Sequence, residues 1–295
     1  MTKATFAAID IGSNAIRLLI SHVEQNEATE FKKAAFIRVP IRLGEDVFTT
    51  GRIGAEKLHK LNEAMQAFSH LMGAFDVQAF RAYATSAMRE AANGPAVVED
   101  IRNASGIPVE IISGEEEAET IFEAGDTAGL MNSDKRYLYV DVGGGSTEAT
   151  VYSNRKRACS ESFPLGTVRM LSGATDRSEI KRFKEWLRTV AEKYHPVAII
   201  GSGGNINKAH KMLSKKEREP LRYVELKLFF EQLSNMSYEE RMEKCGLNDY
   251  RADVIMPALE IFLTAARTCK INEIIVPKIG LADGIIHQLS KEFLR

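Results

Sequence analysis

The sequence has few cysteines and no long hydrophobic run, and both absences exclude classes of protein. The 295 residues contain three cysteines, Cys159, Cys245 and Cys269. None belongs to a C-x-x-C pair, so neither a disulfide framework nor a zinc site is indicated, and a reducing, cytoplasmic compartment is expected. The longest apolar stretch, 255–266, is interrupted by Pro257 and Glu260. It is shorter than the roughly 20 apolar residues of a membrane span.

The sequence also lacks an excess of charge and a secretion signal. Its formal net charge is -1, so no overall field attracts nucleic acid or a membrane surface, and any anion site must be local. Residues 1–10 have neither the apolar core nor the cleavage pattern of a signal peptide. We therefore expect no nucleic-acid or membrane partner, and a monomer or homodimer. The length exceeds that of one typical core and predicts two domains.

The sequence contains one strand–turn–strand pattern twice. Apolar residues 5–10 and 15–20 predict two strands around a turn at Gly12-Ser13-Asn14. Residues 137–141 and 148–152 repeat the pattern around Gly143–Ser146. We call residues 10–14 the first loop and residues 141–148 the second loop. The repeat places one unit in each half of the chain.

Helical and strand patterns alternate along the rest of the chain, which predicts an α/β protein. The helices are predicted at 55–75, 113–130, 178–194, 248–268 and 281–294. A short strand at 197–200 runs into a third turn, 201–204, followed by a helix. The predicted domains are 1–125 and 126–295, with the last helix a candidate to pack back on the first domain. Glu260, in an apolar helix, is expected to have a buried partner.

The loop compositions predict a phosphate site. Glycine lets backbone N–H groups converge on an anion, and hydroxyl and amide side chains add donors. The loops lack the Gly-Lys-Ser/Thr of a Walker loop and lead to strands, unlike a Rossmann turn. Ordinary β-turns are the alternative. The predicted phosphate contacts are Gly12, Ser13, Asn14, Gly143, Gly144, Gly145, Ser146, Thr147, Gly203 and Gly204.

An aspartate stands at the start of each loop. A carboxylate beside bound phosphate is repulsive unless a cation or a proton lies between them. The sequence therefore predicts that Asp10 and Asp141 hold Mg²⁺ or another divalent cation, directly or through water.

Several motifs together resemble the exopolyphosphatase / guanosine pentaphosphate phosphohydrolase (Ppx/GppA) family of the actin-like (ASKHA) superfamily. They are Ala8-Ile-Asp-Ile-Gly-Ser-Asn14, Ala84-Thr-Ser-Ala-Met-Arg-Glu90, Ile112-Ser-Gly-Glu-Glu-Glu-Ala118, Val140-Asp-Val-Gly-Gly-Gly-Ser-Thr-Glu148, Gly201-Ser-Gly-Gly204, Arg251-Ala-Asp-Val-Ile255 and Gly280-Leu-Ala-Asp-Gly284. The resemblance implies two RNase H-like domains flanking a cleft. It also implies Mg²⁺-dependent release of a terminal phosphate from polyphosphate or pppGpp.

The resemblance further implies the roles of particular side chains. Glu117 would be the catalytic base, Asp141 and Glu148 would assist metal and water, and Arg89 would bind phosphate. The pattern alone does not choose among Glu115, Glu116, Glu117 and Glu119, although Glu116 fits a capping box with Ser113. The alternatives are a surface ion pair for Arg89 and a half-exposed strand carboxylate for Glu148.

Two other function classes remain open at this point. An actin-like kinase would need a nucleoside pocket and an acceptor, for which the sequence has no signature. A non-catalytic polyphosphate or (p)ppGpp binder would not need Glu117, Asp141 and Glu148. The chain ends at Arg295, so we expect a short form without the C-terminal HD-type domain of many relatives. The basic segment 208–222 is either a polyanion track or a solvated surface.

Overall fold

The chain folds into two compact units. The structure, a computed structural model, describes residues 2–25, 29–127, 129, 131, 134–217 and 219–293. Unit 1 consists of Met1–Ala124 and Ile279–Arg295, and unit 2 consists of Gly125–Lys278. Each unit contains a sheet with both parallel and antiparallel neighbours, flanked by helices. The predicted α/β class is therefore confirmed.

Unit 1 is built on a five-stranded sheet in the order β3-β2-β1-β4-β5. Its strands are β1 Thr2–Ile11, β2 Ile16–Gln25, β3 Thr29–Val39, β4 Ala79–Ala84 and β5 Glu110–Ile111. Its helices are α1 Leu43–Thr50, α2 Ala55–Ala74, α3 Ser86–Glu90, α4 Gly94–Ser105, α5 Gly114–Thr127, which begins in unit 1, and the last helix, α13 Leu281–Phe293. Strands β1, β2 and β3 are antiparallel, whereas β4 and β5 continue the sheet in parallel.

Alternation of side chains gives the sheet of unit 1 two apolar faces. Ile9 and Ile11 belong to a core cluster that also contains Met65 and Phe68 of α2. Helix α13 contacts β1, β2 and β4, and Phe293 lies against Phe6 with ring centroids 5.8 Å apart. The last helix thus packs on the N-terminal unit because that sheet has an apolar surface to cover.

Unit 2 is built on a six-stranded sheet in the order β10-β11-β9-β6-β7-β8. Its strands are β6 Arg136–Val142, β7 Thr147–Ser153, β8 Lys156–Phe163, β9 Ala198–Ser202, β10 Leu221–Arg222 and β11 Glu273–Ile275. Its helices are α6 Thr167–Leu171, α7 Arg177–Tyr194, α8 Gly204–Met212, α9 Tyr223–Ser234, α10 Tyr238–Cys245, α11 Asp249–Ala252 and α12 Ile255–Cys269.

The internal repeat is longer than the sequence pattern predicts. In each unit the hairpin continues into a third antiparallel strand, β3 or β8, and then into a short helix, α1 or α6. A parallel strand, β4 or β9, then joins the other side of the first strand. The repeated element is therefore β-β-β-α rather than a hairpin alone.

Most of the predicted helices are present, with two corrections. The helix predicted at 248–268 is divided into α11 and α12, with Pro257 in the first turn of α12, where its missing N–H costs nothing. Glu260 is exposed, so the predicted buried partner was wrong. The ends of the predicted helices 113–130 and 281–294 lie outside the described residues. Within the described ranges, no helix is long and apolar enough to cross a membrane.

Helices α5 and α13 cross at a point that has no room for a methyl group. A Cβ added to Gly284 would lie 2.2 Å from the carbonyl oxygen of Thr120. We expect Gly284→Ala to lower the free energy of unfolding by about 1–3 kcal/mol, because one helix must shift. Gly73→Ala, at an open position of α2, is the control and should raise it by about 0.5–1 kcal/mol. Urea unfolding of both variants measures this, and a change of the same sign in both would contradict it.

Candidate phosphate and metal site

Two buried carboxylates lie opposite each other in unit 2. Asp141 of β6 pairs in register with Glu148 of β7, and a carboxylate oxygen of each lies within 4.8 Å of the other. Only 7% of Asp141 and 2% of Glu148 is exposed, so the half-exposed alternative for Glu148 was wrong. Like charges opposite each other repel, and burial strengthens the repulsion. A cation or a proton between them would relieve this repulsion, and their oxygen donors suit Mg²⁺.

Glu148 accepts two hydroxyl hydrogen bonds on the same oxygen. Ser146 donates to Glu148 Oε1 at 2.6 Å, and Ser162 of β8 donates to it at 3.1 Å. A serine hydroxyl has one proton. The side chain of Ser146 therefore cannot donate to phosphate while it donates to Glu148, contrary to the sequence prediction. Its backbone N–H is what remains for that role.

The hydroxyl group of Thr147 also donates its hydrogen bond within the protein. It is fully buried and donates to the carbonyl of Leu165. Successive residues of a strand point to opposite faces, so Thr147 points away from the face of Glu148. The structure therefore contradicts the predicted hydroxyl contact between Thr147 and phosphate.

The start of α6 holds the second loop through its carbonyl groups. Gly143 accepts from the N–H of Thr167 at 3.0 Å, and Gly144 accepts from that of Val168 at 2.8 Å. The Nε–H of Arg169 donates to the carbonyl of Gly145 at 2.7 Å. In the described part of the chain, the N–H groups of Gly144 and Gly145 have no hydrogen-bond partner. Those N–H groups are available to an anion, as in an anion-binding nest.

Gly166 permits this close approach of α6. A Cβ on Gly166 would lie 2.3 Å from the backbone nitrogen of Gly145. Arg169 is only 8% exposed, so its guanidinium lies beneath the loop rather than in solvent. Neither residue was predicted from the sequence. The available signal was the run Gly166-Thr-Val-Arg169, which begins three residues after the end of β8.

The third turn begins later than predicted. Gly201 and Ser202 complete β9, and Gly203 alone links it to α8. Gly203 has φ +113°, and a Cβ there would lie 2.7 Å from the carbonyl of Val142 and 3.4 Å from Asp141 Oδ1. The first turn of α8, starting at Gly204, thus lies next to the carboxylate pair. A helix N-terminus favours negative charge. This position is compatible with the predicted phosphate contacts of Gly203 and Gly204, which stay a prediction.

In the first loop, Asp10 forms an ion pair with an arginine. Arg17 stands opposite Asp10 in the β1–β2 register and donates to its carboxylate. Asp10 is 5% exposed. The sequence predicts a metal at Asp10, whereas the structure places an arginine there. Coordination by Asp10 would require that the ion pair open, so the stronger case for a metal is at Asp141 and Glu148.

The first loop is otherwise built like the second. The carbonyls of Ser13 and Asn14 accept from the N–H groups of Gly44 at 2.8 Å and Arg42 at 3.1 Å, at the start of α1. Ser13 Oγ accepts from the N–H of Ala87 at 3.2 Å. Among the residues that the structure describes, the N–H groups of Ser13 and Asn14 have no hydrogen-bond partner. These donors fit the predicted phosphate role, which stays a prediction.

Arg89 is tied to the segment that leads into α5. Its guanidinium donates to the carbonyl of Ile112 at 2.6 Å. Within the described residues it forms no ion pair, so the surface ion pair considered as its alternative is absent. The predicted phosphate role of Arg89 stays a prediction.

The four glutamates at the start of α5 differ in environment. Glu116 accepts from the N–H of Ser113 at 2.8 Å and Ser113 Oγ accepts from the N–H of Glu116 at 3.1 Å, which confirms the capping box. Glu115 and Glu119 are exposed, whereas Glu117 is half-buried. This burial favours Glu117 as the functional carboxylate, a role that stays a prediction.

The basic segment 208–222 is partly neutralised. Lys215 donates to carboxylate oxygens of Glu219 and Glu225, both at 2.9 Å. Arg218 lies outside the described residues. These pairs favour the solvated-surface interpretation over a polyanion track.

Comparison with solved structures defines the class of fold. The chain is 26% identical to the Ppx/GppA family member of Aquifex aeolicus, with a TM-score of 0.80 over 99% of both chains. It is 22% identical to an exopolyphosphatase from Cytophaga hutchinsonii, with a TM-score of 0.86 over 98% of both chains. The two β-β-β-α units are therefore the two α/β domains of the actin-like fold, as the resemblance implied.

Comparison of sequences defines the family. The model of the Ppx/GppA phosphatase family matches residues 22–293. The chain is 25% identical to the guanosine-5'-triphosphate,3'-diphosphate pyrophosphatases of Vibrio parahaemolyticus and Vibrio vulnificus over 97% of its length. It spans 59% of the length of these relatives. The chain belongs to the Ppx/GppA phosphatase family.

The fit of α6 beneath the second loop makes Gly166 sensitive to a single methyl group. We expect Gly166→Ala to displace the turn and to lower the free energy of unfolding by about 1–3 kcal/mol. NMR should show shifted amide resonances of Gly143, Gly144 and Gly145. Gly280→Ala, at a position with open space around it, is the control. An unchanged spectrum in a stable Gly166→Ala variant would contradict the described packing.

The capping box predicts a pH-dependent contribution to stability. The hydrogen bond from the Ser113 N–H lowers the pKa of Glu116 below its ordinary value of 4.5. A carboxyl whose pKa is lowered by folding stabilises above the unfolded pKa, and this contribution is lost as the pH falls through the folded pKa. Glu116→Ala should therefore destabilise the protein at neutral pH.

The difference from the wild type should then shrink as the pH falls below 4.5. Urea unfolding across a pH series measures it, with Glu119→Ala, outside the capping box, as the control. A loss that is equal at every pH would contradict the assignment.

Proposed function

We propose that the protein hydrolyses the terminal phosphoanhydride bond of pppGpp, with inorganic polyphosphate as the alternative substrate. The observation that carries this proposal is the buried Asp141–Glu148 pair beside the available N–H groups of Gly144 and Gly145. The names of the Vibrio relatives support the nucleotide. The Cytophaga hutchinsonii protein is named as an exopolyphosphatase, but at 22% identity its similarity to this chain supports a shared fold and not a shared substrate.

A divalent cation, which we take to be Mg²⁺, fits the carboxylate pair. Asp141 and Glu148 would hold it, because a cation between two neighbouring buried carboxylates relieves their repulsion. When bound, the cation supplies positive charge that neutralises phosphate oxygens. Asp10 is a further candidate ligand, subject to its ion pair with Arg17.

The protein's own groups would bind the phosphate chain and activate water. The N–H groups of Gly144 and Gly145 donate to phosphate oxygens, and Arg89 stabilises the charge on the transferred group. Glu117 accepts a proton from a water molecule whose oxygen attacks the terminal phosphorus. The bond from that phosphorus to the bridging oxygen breaks, which releases inorganic phosphate and the shortened substrate.

Substitution of neighbouring glutamates tests the assignment of the base. Glu117→Gln should lower kcat roughly 100- to 10,000-fold, the contribution of a general base. Glu116→Gln is the matched control, because glutamine can still serve in the capping box, and its kcat should stay unchanged. Release of inorganic phosphate is measured with pppGpp, long and short polyphosphate, and ATP, each with Mg²⁺ and with EDTA.

Other outcomes would separate the remaining classes. Undiminished release by Glu117→Gln would contradict its role as the base. Phosphorylation of an acceptor from ATP without free phosphate would indicate a kinase. Binding of pppGpp or polyphosphate by the wild type without any release would indicate a non-catalytic binder.

A further inference from the structure

A serine on the third strand of unit 2 contacts the buried carboxylate pair from outside both loops. Ser162 of β8 stands opposite Glu148 of β7 in the strand register. Its hydroxyl donates to Glu148 Oε1 at 3.1 Å, the oxygen that also accepts from Ser146 at 2.6 Å. Two donors, one from the second loop and one from β8, thus converge on one oxygen of one carboxylate.

This geometry fixes the orientation of the Glu148 carboxylate. Rotation about the terminal torsion of a glutamate is otherwise broad, and two donors on Oε1 select one setting of it. Hydrogen bonds to a charged acceptor are stronger than those between neutral groups. They also offset part of the cost of burying the carboxylate. Neither of these two hydroxyl groups donates to Oε2.

We propose that Ser162 is a positioning residue for Glu148, holding Oε1 so that Oε2 is presented to the divalent cation and the attacking water. This inference rests on the proposed function, in which Glu148 serves metal and water. It extends the site to β8, which carries none of the residues predicted from sequence. Ser146 shares the task but belongs to the second loop, so its substitution would also disturb the phosphate contacts.

The same strand offers a matched control. Ser160 lies two residues before Ser162, on the same face of β8, and stands opposite Thr150 of β7. Its hydroxyl and that of Thr150 lie 2.7 Å apart. Ser160→Ala therefore removes a hydroxyl bond between the same two strands without touching Glu148. Ser162 is an exposed residue, so Ser162→Ala removes its hydroxyl without leaving a cavity in the core.

The experiment compares Ser162→Ala, Ser162→Thr and Ser160→Ala in the full chain. Ser162→Ala should lower kcat for phosphate release about tenfold, the size of one hydrogen bond to a charged group, with KM unchanged. Ser162→Thr restores the hydroxyl and should restore kcat, and Ser160→Ala should behave as the wild type. Thermal unfolding checks that all three variants are folded.

Binding of Mn²⁺, followed by calorimetry in the absence of substrate, gives a readout that does not need turnover. Ser162→Ala should weaken Mn²⁺ binding by about tenfold, as loss of a group that orients a ligand does, and Ser160→Ala should not. Equal kcat and equal Mn²⁺ affinity in the two alanine variants would overturn the inference even if phosphate release and the effect of Glu117→Gln are as expected.

A different set of results is expected if the protein does not have the proposed function. If the wild type releases no phosphate from any substrate, the Mn²⁺ comparison alone decides: weaker binding by Ser162→Ala supports the positioning role, and equal binding overturns it. A wild type that neither releases phosphate nor binds Mn²⁺ overturns both proposals.

Discussion

The repulsion between two buried carboxylates is the constraint on which the candidate site depends. Asp141 and Glu148 stand opposite each other because an antiparallel hairpin closes around a glycine turn. The register places the two residues directly opposite each other, so their side chains are neighbours on one face of the sheet. Hydroxyl donors and a neighbouring helix N-terminus reduce the free-energy cost of burying the two carboxylates, and a cation would reduce that cost further.

The start of α6 holds the second loop in place beside that pair. Thr167, Val168 and Arg169 donate hydrogen bonds to the carbonyl groups of the second loop, which leaves the N–H groups of Gly144 and Gly145 outside this network. The loop is thus set before any ligand arrives, and binding need not fix it at that moment. The first loop has the same support at the start of α1. Two copies of one element therefore provide two preformed sets of donors.

The features that depend on a local pattern of residues could be predicted from the sequence. The loops, the long helices α2 and α7 and the capping box of Glu116 follow from residue type and spacing, and the structure contains them. Contacts that depend on a residue of another strand or segment were either not predicted or predicted wrongly. The ion pair of Asp10 with Arg17 and the bond from Thr147 to Leu165 depend on which residues stand opposite or behind, which no local pattern specifies.

Unit 1 is formed by two segments that unit 2 separates in the sequence, and this order affects how unit 1 folds during synthesis. Its sheet and α2 emerge early from the ribosome, whereas α13, which covers the second face of that sheet, is made only after the whole of unit 2. Unit 2 is complete in sequence before unit 1 can be. Until α13 is released, Phe6 and its neighbours on β1 and β2 lack that cover, and exposed apolar surface of this kind promotes aggregation. During synthesis, this face of the sheet of unit 1 therefore stays uncovered for the whole time in which unit 2 is made.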